Sequence, residues 1–184
     1  QKLATGSLPA EDKQAWTSEQ KMFQNNDWAM VYFPPRGIGP TAWNPAPFKQ
    51  NQHQRRFYLL GQTLDGMRCW DVRRAIQAIR PEASAPLWLQ SHGSMAGIAL
   101  YASLFEKDIP RLDLHDLPTS HRQGPFLLGV RQVLDIPQAV AMAAENSRVI
   151  LYQPDNPAWD YVQQTSTQLD WDSRQFQFRP APAP

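Results

Sequence analysis

Apolar positions along this chain switch between the short runs of buried strands and the three-to-four spacing of helices. Residues 28–33 form a continuous apolar run, the pattern of a strand buried in a parallel sheet. That run ends in a proline- and glycine-containing loop, Pro34 to Pro40. A long segment from about Arg56 to Ile79 follows, in which Cys69, Val72, Ile76 and Ile79 recur at helical spacing while Arg68, Arg73, Arg74 and Gln77 face away. Pro81 stops it. Pro86 to Gln90 reads as a second strand, followed by a turn of small residues and then by Met95 to Phe105. That last run is apolar on all sides, which a helix tolerates only when buried against a sheet. Ile109 to Leu114 reads as a third strand, and Pro118 to Gly129 as a loop. Ile136 to Ala144 reads as a helix with proline in its first turn. Arg148 to Tyr152 is a fourth strand, 157–168 a further helix, and Gln175 to Phe178 alternates like an edge strand.

Strands and helices in this alternation predict βαβ units. The expected fold class is therefore α/β, a mainly parallel sheet of about four or five strands flanked by helices on both faces. Residues 28–178 make up the expected domain. Residues 1–27, polar and weakly periodic apart from a short helix at Ser18 to Phe23, read as an N-terminal extension or remnant. Residues 179–184 alternate proline with arginine or alanine and read as an extended tail.

Composition narrows the function classes. Eighteen basic and 17 acidic residues leave a formal net charge of +1, with no basic stripe among exposed aromatics, so nucleic acid is not an expected partner. No apolar run is long enough to span a bilayer. The single cysteine, Cys69, lies on an expected helix face and reads as a buried, inert thiol. The chain opens on Gln1, as a processed or excised piece of a longer, exported protein would.

The candidate chemistry sits at Gln90-Ser91-His92-Gly93-Ser94-Met95-Ala96-Gly97. A strand, a turn of small residues and an all-apolar helix have the layout of a nucleophile elbow, where a sharp turn lifts one side chain above the sheet. Reading the five positions from Ser91 to Met95 places Gly93 at the apex. Ser94 lies one step further and reads as a helix N-cap, with a displaced nucleophile as the alternative. Gly97 closes the turn against the helix.

At this turn the chain resembles α/β-hydrolases of the acetyl xylan esterase and dienelactone hydrolase kind, in particular the large esterase-like proteins of planctomycete type. The resembling residues are Pro35 to Pro40, Leu60 to Gly66 with Trp70 to Arg74, Met95 to Phe105, and Ser120-His121-Arg122 with Val133-Leu134-Asp135. The resemblance implies the C-terminal part of such a domain. It places the nucleophile slot on Gly93, the acid slot on Asp155, and a histidine after the last strand, where this sequence has none. His121, in the loop after the third strand, is the substitute base.

His92, His115 and His121 with Asp113, Asp116 and Asp155 match no tight ligand pattern, so no metal is expected, and no cofactor. The preferred reading is that His121 and Asp116 hydrogen-bond loop backbone. Two functions follow. The first is a module with a degenerate site, serving as a non-catalytic binding or structural part of a larger protein or complex. The second is a serine esterase acting on carbohydrate acyl groups or other small esters through Ser94, Asp155 and His121. A sheet starting at its middle strand also predicts an exposed edge, covered by a protein partner or a missing N-terminal segment.

Overall fold

The computed structural model describes residues 29–44, 46–82 and 84–180 and a few positions between 17 and 25. The chain divides into two compact units, residues 1–43 and 44–184. In the first unit, 29–35 carries no helix or strand and lies outside any sheet, and Gly39–Thr41 forms a 3-10 turn. The expected strand over 28–33 is thereby corrected: Met30, Val31, Tyr32 and Phe33 are exposed, and the Pro34-Pro35 pair that follows has no N–H to give a ladder. Trp28 lies outside the described residues.

The second unit carries the α/β fold. The segment expected as one helix is two, α1 (Pro47–Leu59) and α2 (Leu64–Ile79). The break is set by Thr63, whose Oγ1 accepts the Gly66 N–H at 2.9 Å and restarts the helix. Then follow β1 (Trp88–His92), α3 (Ser94–Ser103), β2 (Arg111–His115), α4 (Ile136–Ala144), β3 (Arg148–Tyr152), α5 (Asp160–Gln168) and β4 (Phe176–Arg179). The strands form one parallel sheet in the order β1-β2-β3-β4. Among the described residues β1 is an edge strand and pairs only with β2, because the strand expected before it does not form.

Register assigns every strand residue to a face. Leu89, Leu112, Val149 and Phe176 share one row, and Ser91, Leu114, Leu151 and Phe178 the next. These apolar rows join Cys69 and Ile76 of α2, Ile98 and Leu100 of α3, Val140 of α4 and Val162 of α5 in a single core. Each fully buried aliphatic side chain there contributes about 1.5–3 kcal/mol. Helices of the described residues thus cover this face of the sheet. The opposite face carries mostly polar rows: Trp88, Arg111 and Arg148, then Gln90, Asp113, Ile150 and Gln177, then His92, His115, Tyr152 and Arg179.

Candidate functional site

A strand, a glycine turn and a helix follow one another where the sequence places them. β1 ends at His92, and Gly93 turns the chain into α3 at φ 56°, ψ −132°, outside the wells open to residues with a Cβ. Its N–H donates to the His115 carbonyl at 2.8 Å, and its own carbonyl accepts the Ala96 N–H at 3.0 Å. The turn is therefore anchored to the end of β2 while its apex bears no side chain. A Cβ at Gly93 would meet nothing within 4 Å, so the space above the apex is open.

Ser94 is the first residue of α3 and exposed. Gly93 holds the N-cap position without a side-chain bond, which corrects the reading of Ser94 as the cap. Among the described residues the Ser94 hydroxyl has no hydrogen-bond partner, so no general base stands beside it. Gly97, one turn on, is the point of closest approach to the loop above α3. A Cβ there would fall 3.1 Å from Pro125 Cγ and closer still to Cδ.

His121 is held elsewhere. It is buried in the loop after β2, where the Pro125 carbonyl accepts from Nδ1 at 2.7 Å. That carbonyl can only accept, so Nδ1 carries the proton and Nε2 accepts the Tyr101 O–H at 2.7 Å. Burial, Asp135 and Cys69 push the Tyr101 phenol well above its ordinary value and keep it a donor. The backbone N–H of His121 donates to Asp135 Oδ1 at 2.7 Å, and Ser120 Oγ donates to Asp135 Oδ2 at 2.7 Å. Asp135 also caps α4 in a reciprocal box with Gln138. Burial raises its carboxyl, but the bonds from Ser120, His121 and Ile136 outweigh that and hold it below the usual range.

Asp155 follows β3, is exposed, and accepts Gln163 Nε2 at 2.8 Å. Ser94, His121 and Asp155 thus each have separate surroundings, with no hydrogen bond joining any two of them. His92 instead stacks on His115 (ring centroids 4.1 Å apart), and His115 on Tyr152 at 4.2 Å. Burial, then His92, lowers the His115 ring below its ordinary value against the pull of Asp113 and Asp116. Beside this row Arg111 grips Asp113 through Nη2 at 2.9 Å and Nε at 2.8 Å, with its guanidinium over the Trp88 ring at 4.7 Å.

Sequence reasoning missed Tyr101 and Pro125 as the partners of His121, and the stacked row across three strands. Ser91 belongs to the apolar face, in register with Leu114. Among the described residues, no group of three or more His, Cys, Asp or Glu side chains is placed to hold a metal ion. No described helix is long and apolar enough to cross a membrane. Comparison with family models, with curated proteins and with solved structures finds no match.

Proposed function

We infer that this chain is an α/β-hydrolase-like module with a degenerate catalytic elbow, serving as a non-catalytic binding or structural part of a larger protein or complex. The observation that carries this reading is the apex of the turn, where Gly93 occupies the lifted position and presents no nucleophile. Two further features support it. The His121 ring spends both nitrogens on Tyr101 and Pro125, and the Ser94 hydroxyl has no base beside it. Without a base a serine hydroxyl stays essentially unactivated. The exposed edge of β1 is the place where a protein partner or a further segment would add a strand.

The alternative, a serine esterase acting on acyl groups, draws on one observation: Ser94 is exposed at the start of α3, one residue past the apex. Hydrolysis of p-nitrophenyl acetate by the full chain and by Ser94→Ala separates the two. The degenerate module gives equal, background rates in both proteins, and a fluorophosphonate probe leaves Ser94 unlabelled. Turnover that Ser94→Ala abolishes, with stoichiometric labelling of Ser94, establishes the esterase.

A further inference from the structure

The last turn of α1 and the loop at 125–133 border a groove of about 390 Å³. The loop is tied down there by its Phe126 N–H, which donates to Asp65 Oδ2 at 2.8 Å. Tyr58, Phe126 and Leu128 line the groove and are themselves about half exposed. Single exposed apolar side chains need no explanation, but several bordering one concavity mark an interaction site.

One arginine lines the groove and two more lie near lining residues in the chain. Arg131 lines it, Arg55 stands one turn before Tyr58 on α1, and Arg122 follows His121, another lining residue. All three are exposed, and none has an ion-pair or side-chain hydrogen-bond partner among the described residues. The nearby carboxylates are already engaged, Asp65 with Arg68 and the Phe126 N–H, Asp135 with Ser120, His121 and Ile136. The apolar groove therefore meets a partner with uncompensated positive charge at Arg131.

We propose that this groove docks a protein partner through a segment that inserts a bulky apolar side chain and flanks it with carboxylates. Aromatic and arginine side chains side by side are the residue types that dominate protein-interface energetics. The concavity selects a peptide segment over a lipid surface. A bilayer is met by side chains that protrude from an amphipathic face, whereas a groove receives them. The inference does not rest on the reading of the elbow, since Gly93 and Ser94 line no part of the groove.

The test uses the full chain and two labelled helical peptides with the same leucine and phenylalanine face, one flanked by glutamates and the other by lysines. Fluorescence anisotropy is expected to show binding of the glutamate peptide about tenfold or more tighter than the lysine peptide, weakening with salt. Arg131→Glu reverses that preference, and Leu128→Ser weakens both peptides. Both positions are exposed, and matching thermal melts establish that the variants are folded. Equal binding of the two peptides, or binding of neither, overturns the proposal. So does association with phosphatidylserine vesicles in place of the peptide, or an Arg131-dependent dimer in sedimentation, which would make a lipid surface or a second copy the occupant.

Discussion

Gly97→Ala tests the packing beneath the elbow. In an exposed helix interior this substitution stabilises by about 1 kcal/mol, because glycine loses the most backbone entropy. Here the added methyl would overlap Pro125 Cδ and sit 3.1 Å from Cγ. The loop has little room to retreat, since the Pro125 carbonyl accepts from His121 and the next N–H donates to Asp65. Overpacking of a closed site costs about 1–3 kcal/mol, and a strained buried hydrogen bond adds about 1 kcal/mol. Set against the helix gain, the net is a destabilisation of about 1–3 kcal/mol. For a chain of this size that lowers Tm by roughly 2–12 °C. Thermal and urea denaturation followed by circular dichroism reads it directly. Pro125→Ala removes Cγ and Cδ, so the two substitutions are expected to cost less together than the sum of their separate costs, a coupling that a double-mutant cycle isolates. A Gly97→Ala protein as stable as the parent, or more so, would show that α3 does not close on the loop in this way.

Three other outcomes follow from the same geometry. Gly93→Ala meets no steric obstacle but must adopt φ 56°, ψ −132°, so it is expected to destabilise by about 1–3 kcal/mol in urea denaturation; a neutral result refutes the strained apex. Burial, then Asp65, pushes the Cys69 thiol up to about 12, so iodoacetamide at pH 8 is expected to alkylate it only after denaturant unfolds the chain, as mass spectrometry would show. The His115 ring is held below its ordinary 6.5, so the unfolded chain binds its proton first. Stability is then full above about pH 6.5 and falls as pH drops through the lowered folded value, and a His115→Gln variant measured across that window flattens the slope.

Much of the fold was legible because local signals agreed. Asp135, Pro137 and Gln138 mark the start of α4, and its apolar residues keep one period to Ala144. The run Arg148 to Tyr152 is too short and too branched for anything but a strand. The merged helix over Arg56 to Ile79 shows the limit, since the periodicity resumes after Gly61 and hides the break that Thr63 caps. The run at 28–33 has a strand's composition, but composition does not supply a partner, and two prolines follow it. The turn at Gly93 was legible because only small residues fit so tight a passage from strand to helix. The surroundings of His121 were not, because its ring is fixed by Tyr101, twenty positions away, through a packing of α3 on a loop that no spacing rule encodes. The stacked His92, His115 and Tyr152 depend on strand register, which the lengths of two crossovers set.

The sequential strand order carries a kinetic consequence. Every strand pairs with its immediate successor, so each contact closes only the chain between neighbours. The in-register partners lie 23 residues apart for Trp88 and Arg111, 37 for Arg111 and Arg148, and 27 for Val149 and Phe176, by subtraction of their numbers. Loop-closure entropy separates the shortest of these from the longest by only about 0.4 kcal/mol. The sheet can therefore grow outward from any strand pair, and the β2–β3 pairing, which spans the longest crossover, is the slowest to nucleate by that margin.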